Sequence, residues 1–204
     1  DYGFKDLKDP NAYNPERSKQ LLAEDGWKDT DGDGILDKDG KPLTFDFVVY
    51  NSRAELPLYA EAVQADLKKV GIDMKIKTVD YNLIDKMGQD GDYDMLISNI
   101  VTANTGDPIW FLANYWHTNV DGSNPQNGSG YSNPQVDQLL DAAETEFDPA
   151  KRRDYAIQIQ QLLMNDGAAL FLGYPKTNIV TGSYLKGAVM YPSDYYWITN
   201  KITK

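Results

Sequence analysis

The sequence predicts an α/β fold, a mixed sheet flanked by helices, and three observations predict it. Two alternating apolar runs, 43–50 and 72–76, enclose a helical run at 61–70. Asn14-Pro15, Asn133-Pro134 and Asp148-Pro149 each place a capping side chain before a proline, the signature of a helix start. A third apolar run, 93–100, follows the second strand and leads into a polar loop. Strand, helix and strand in that order make a βαβ unit whose two strands run parallel.

Taken in order, the helix opened by Asn14-Pro15 carries Leu21 and Leu22 and stops at Gly26, about three turns in all. An acidic run, DTDGDGILDKDG at 29–40, follows. Leu43, Phe45, Phe47 and Val49 then alternate with Thr44, Asp46, Val48 and Tyr50, so the next element is a strand with an apolar face. The acidic run is therefore a helix-to-strand connection. Ala62, Ala65, Leu67 and Val70 have helical spacing and Gly71 ends the run; Ile72, Met74 and Ile76 alternate with polar residues as a second strand. A short amphipathic segment around 83–87 precedes the third apolar run. The loop 101–107 leaves the carboxyl end of that run, where open α/β sheets place their ligands. Trp110, Phe111, Tyr115 and Trp116 cluster at helical spacing, a pattern that serves either core packing or ligand stacking. Val136, Leu139, Leu140 and Ala143 line one later helix and Ile159, Leu162 and Leu163 another; the connection 118–132 is rich in Gly, Asn and Ser. Residues 169–174, ALFLGY, read as a buried strand by composition, and the last thirty or so residues as strands and turns.

The acidic run opens like a calcium loop. Asp29, Asp31 and Asp33 occupy alternate positions and Gly34 the sharp bend, but position 12, where a bidentate Glu would close the shell, is Gly40. Asp37 or Asp39 offers a shorter closure. Chemistry alone leaves two readings: a solvated Asp/Gly turn, or a structural calcium held by Asp29, Asp31, Asp33 and Asp37.

Composition removes several classes. With no cysteine and a single histidine, His117, the chain lacks the ligands of zinc ribbons and iron–sulfur clusters, and it has no thiol nucleophile. No G-x-S-x-G motif singles out a serine for His117 to activate. The 31 acidic residues provide many carboxylate pairs, and no spacing selects one for glycoside hydrolysis. A net charge of −11 with scattered Lys and Arg opposes a nucleic-acid partner. No run approaches the roughly 18 apolar residues of a membrane span. Asp1-Tyr2-Gly3-Phe4 does not resemble a signal peptide, so the chain reads as part of a longer protein.

Several motifs occur together in one order: YNPERSKQLLAEDGW, DTDGDGILDKDGKPLTF, QADLKKVGIDMKI, GDYDML, TGDPIWFL, GYSNPQVDQLLDAA and DPAKRRDYAIQIQQLL. Together they resemble the C-terminal lobe of the family 5 extracellular solute-binding proteins, the peptide, dipeptide and nickel-chelate receptors of bacterial ABC importers. The resemblance covers nearly the whole chain. It implies a type II periplasmic-binding-protein lobe over residues 1–185, with 186–204 as a tail that crosses back to the N-terminal lobe. It implies a monomeric binding module, not an enzyme, which closes over its solute with that lobe and delivers it to ABC permease subunits. The place implied is outside the cytoplasm, either periplasmic or lipid-anchored on the outer face of the membrane. No cofactor is implied, and any calcium at the acidic run is structural.

The resemblance also implies a ligand set. Ser52-Arg53 fits the place where dipeptide-type receptors carry an arginine that pairs with the peptide carboxylate, and Asn104 fits the place of an aspartate that holds the ligand's ammonium. An amide supplies no counter-charge, so the expected ligand has a carboxylate and no free ammonium at the Asn104 end. Thr105 and Asp107 in the same loop, and Trp110 just beyond it, complete the candidate ligand-binding residues.

Overall fold

The computed structural model describes residues 5–102, 106–174, 176, 178–190 and 198–204. They fall into two units, Asp1–Leu170 and Phe171–Lys204. The division precedes Lys186, where the tail is expected to begin.

The first unit holds the βαβ core. Helix α1 (Pro15–Glu24) leads into a short antiparallel ribbon, β1 (Asp37–Lys38) with β2 (Lys41–Pro42). Then come β3 (Thr44–Tyr50), α2 (Glu55–Lys68) and β4 (Asp73–Val79). A 3₁₀ turn (Tyr81–Leu83), α3 (Ile84–Asp90) and β5 (Met95–Leu96) follow. The three strands form a parallel sheet in the order β4-β3-β5, with Thr44 opposite Asp73 and Phe47 opposite Met95.

Strand β3 lies in the middle of this sheet. Phe47, Val48, Val49 and Tyr50 are all buried, the continuous apolar run of a parallel strand whose two faces are both withdrawn from solvent. On the edge strand β4, Met74 is buried while Lys75 and Lys77 face water, which leaves the one-sided pattern. Helix α2 packs on β3 and β4 through Leu56 and Ala60, and its Gln64 donates 2.7 Å to the Met74 carbonyl. Gly71 ends that connection at φ 84, and a Cβ there would sit 2.6 Å from Leu36 Cγ. Glycine at this point lets the acidic connection press against the sheet.

The strand expected at 93–100 shrinks to two residues, extended by the Ile97 N–H bond to the Val48 carbonyl at 3.0 Å. Beyond it, α4 (Pro108–Trp116), α5 (Pro134–Thr145) and α6 (Pro149–Asn165) share a second core of Ile109, Leu112, Trp116, Val136, Leu140, Ala143, Ala156, Ile159 and Leu163. All three Asx-Pro starts cap as expected: Asn14 accepts from Arg17 N–H, Asn133 from Gln135 N–H, and Asp148 from Ala150 and Lys151 N–H. The aromatic cluster divides. Trp116 is buried in this core, while Trp110 is 42% exposed.

The expected strand at 169–174 is corrected. Leu170, Phe171 and Tyr174 are 64%, 58% and 81% exposed, and no ladder partner exists for the run among the described residues. A strand needs a neighbour for its N–H and C=O groups, and apolar composition does not supply one. In the second unit, the described residues form one antiparallel bridge, Lys186 with Thr203.

Candidate functional site

The parallel sheet has a carboxyl edge, and three chain segments leave from it. Tyr50 ends β3, Val79 ends β4 and Leu96 ends β5. Tyr50 holds the three exits together. Its side chain is buried and its hydroxyl accepts the Asn99 backbone N–H at 3.1 Å, tying the segment after β5 to β3. Its ring meets Tyr81, from the segment after β4, edge to face at 5.1 Å. Burial raises the Tyr50 pKa; the Asn99 N–H and the Arg53 charge oppose that rise, and Tyr81 and Glu55 add to it. Arg53 and Glu55, of opposite charge, both lie on the segment that leaves β3.

Arg53 lies exposed in the turn between β3 and α2. Glu55 is half-buried at the first position of α2, and the Asn99 side-chain amide approaches its Oε1 at 3.5 Å. Tyr81 keeps 56% of its surface open. Burial raises the pKa of Tyr115 on α4, with smaller contributions from Asp85 and Tyr81.

Asn104 and Thr105 lie outside the described residues. Asp107 is the N-cap of α4, accepting Ile109 N–H at 2.9 Å, and it also pairs with Arg152 Nη2. The Arg152 guanidinium reaches the Ala143 and Glu146 carbonyls as well, so one arginine fastens α4 to α5 and α6. Asp107-Pro108 is thus a fourth Asx-Pro helix start. Trp110, two positions into α4, turns part of its ring to solvent. Tyr50, Glu55, Tyr81 and Asn99 were not among the sequence candidates. Their signal was available: each lies at or within five residues after a strand end, the zone where parallel sheets place ligand groups.

In the acidic run, Asp29, Asp31 and Asp37 bring carboxylate oxygens within 4.8 Å of one another; Asp33 is not in that group. The run's own donors already engage these carboxylates. Asp29 accepts Gly32 N–H at 2.7 Å and Gly34 N–H at 3.1 Å, Asp31 accepts Asp33 N–H, and Asp33 accepts Ile35 N–H. Asp37 accepts both N–H and Oγ–H of Thr30. Asp39 and Gly40, at φ 53 and 73, form the two-residue turn between β1 and β2, where both positions require positive φ. Gly40 therefore serves a hairpin where a calcium loop would need Glu.

His117, the single histidine, follows α4 as its C-cap. Its Nε2 faces Asp141 Oδ1 at 3.2 Å; its Nδ1 faces the Thr118 carbonyl at 3.3 Å and Asp137 at 3.6 Å.

Residues 1–123 match the family described as bacterial extracellular solute-binding proteins, family 5 Middle. The oligopeptide-binding protein AppA of Bacillus subtilis is 31% identical over 196 residues, 92% of this chain and 34% of the relative. Its structure in complex with a nonapeptide superposes at a TM-score of 0.69 with 30% identity, covering 80% of this chain and 32% of that one. NikA of Brucella suis in complex with Fe(III)-EDTA superposes at 0.68 with 28% identity, covering 81% and 33%. The chain spans about a third of the length of these relatives, and they are type II periplasmic binding proteins. With this parallel-sheet lobe, this order of motifs and a relative above 30% identity across nearly its whole length, the chain belongs to the bacterial extracellular solute-binding proteins of family 5.

Proposed function

We propose that the chain is the C-terminal lobe of the substrate-binding component of a bacterial ABC importer, and that it captures a peptide or peptide-like solute whose carboxylate binds Arg53. One observation carries this reading. Of the four arginines, Arg17 pairs with Glu24, Arg152 with Asp107 and Arg153 with Asp6, and Arg53 alone has no carboxylate partner among the described residues. In a chain of net charge −11 an unpaired guanidinium is conspicuous, and this one stands at the sheet edge where ligands bind. Its planar fork suits a carboxylate held by two hydrogen bonds.

The N-terminal lobe supplies the other half of the pocket, and closure of the two lobes removes water from the ion pair. The solute then passes unaltered to the permease subunits. This is the work of a monomeric binding protein outside the cytoplasm, periplasmic or lipid-anchored, with neither catalysis nor a nucleic-acid partner. Likeness to a relative solved with Fe(III)-EDTA supports a second reading, a metal chelate whose own carboxylates meet Arg53.

Calorimetry on the full-length receptor tests the proposal. Arg53→Ala is expected to weaken carboxylate peptides by about 2 kcal/mol or more, the range for truncating one partner of a desolvated charge pair, and to leave their C-terminal amides unchanged. Equal losses for acids and amides, or no loss, would sink it. Binding that requires added metal favours the chelate reading.

A further inference from the structure

Two residues beyond Arg53 stands a charge of opposite sign that is also unspent. Among the described residues the Glu55 carboxylate pairs with no cation, and its contact with the Asn99 amide is a long one, at 3.5 Å. A carboxylate accepts about four hydrogen bonds, so most of its capacity is open. It does not turn back on Arg53, although the two lie on one short turn. Its place is fixed from several sides: it opens a 14-residue helix, and the Asn99 backbone beside it is held by the buried Tyr50 hydroxyl. Tyr81, braced against the Tyr50 ring, offers an open aromatic surface at the same edge. A held carboxylate and an exposed guanidinium, both unpaired among the described residues and on one sheet edge, fit a ligand that carries both signs.

We propose that Glu55 is a specificity-determining residue that receives the cationic group, an ammonium or guanidinium, of a zwitterionic ligand. The inference rests on the reading of Arg53 as the carboxylate's partner. It also agrees with the expectation that the Asn104 end takes no ammonium, since the cationic group is received at Glu55. A half-buried carboxylate that loses water on lobe closure must find N–H donors or a positive charge. A neutral acyl group in that place supplies no charge and selects against its bearer.

The test uses the full-length receptor with three probes: alanyl-alanine, its N-acetyl derivative and its C-terminal amide, titrated into wild type, Glu55→Gln and Arg53→Ala. Wild type should prefer the free amine over the acetylated form by about tenfold or more, as charge pairs in desolvated sites allow. Glu55→Gln should abolish that preference and keep the preference for acid over amide; Arg53→Ala should do the reverse. Glu55→Asp, which keeps the charge, should restore part of the amine preference, an outcome that simple loss of folding would not give. If the free-amine preference is absent in wild type or unchanged in Glu55→Gln, the assignment of Glu55 is overturned while the carboxylate reading stands. If wild type binds none of the probes, or does not tell acid from amide, the Arg53 reading fails and this one with it.

Discussion

A single ring, His117, shows how a side chain reports on its neighbours. Both ring nitrogens face oxygen acceptors, Asp141 and Asp137 carboxylates and the Thr118 carbonyl, so the doubly protonated imidazolium satisfies more partners than either neutral tautomer. Burial works against the charge, but the Thr118 carbonyl, the Asp141 hydrogen bond and the two carboxylates outweigh it, and the pKa lies above its usual 6.5. Because the folded value is raised, the stabilisation is complete below 6.5 and disappears as pH rises through the raised value. Melting temperatures of wild type and His117→Gln between about pH 5.5 and pH 8.5 check this. The gap in favour of wild type should shrink toward high pH; a gap that is constant or grows would contradict the assignment. Asp107 teaches a related lesson. A carboxylate in a loop at the ligand edge invites a binding role, yet its contacts go to a helix cap and to Arg152.

At the scale of elements, the acidic connection is built from its own hydrogen bonds. Asp29 and Asp37 each accept two donors from within the run, which makes it a succession of Asx turns closed by a hairpin. Leu36 anchors it to the core through the N–H bond to Gly71 at 2.8 Å. About 5 mM Ca²⁺ should therefore leave the melting temperature where an equal concentration of Mg²⁺ leaves it, whereas an ion bound at 100 times its dissociation constant would add about 2.7 kcal/mol. Stabilisation by Ca²⁺ alone, lost in Asp31→Ala, would establish a metal site and reverse the turn reading. The strand–helix–strand unit has a different logic: its helix covers one face of the sheet, and all its polar exits fall at one edge.

On the scale of the whole molecule, the chain is about a third of its relatives' length. Ligand sites bury most of a solute's surface, and an edge such as the one around Tyr50 and Arg53 offers one wall. The 204-residue chain alone is expected to bind alanyl-alanine no tighter than about 1 mM, near −4 kcal/mol. Calorimetry on the isolated chain decides it; micromolar binding would mean that the pocket is complete without a second lobe.

The sequence by itself determined the elements whose signals are local. Asn14-Pro15, Asn133-Pro134 and Asp148-Pro149 cap helices because an Asx oxygen and a proline act within one turn of chain. The parallel pairing of β3 and β4 followed from the single helix between them, since no short hairpin can join parallel strands. That Arg53 lies in the turn after a strand was legible as well, and family membership from the order of motifs. Tertiary structure decided whatever depends on a distant partner. The apolar run at 169–174 lacks a strand to pair with among the described residues, and Asp107 found Arg152, 45 residues away. The role of Tyr50 in joining three exits from the sheet also belongs to the fold, because Tyr50, Tyr81 and Asn99 come together only when three strands lie side by side.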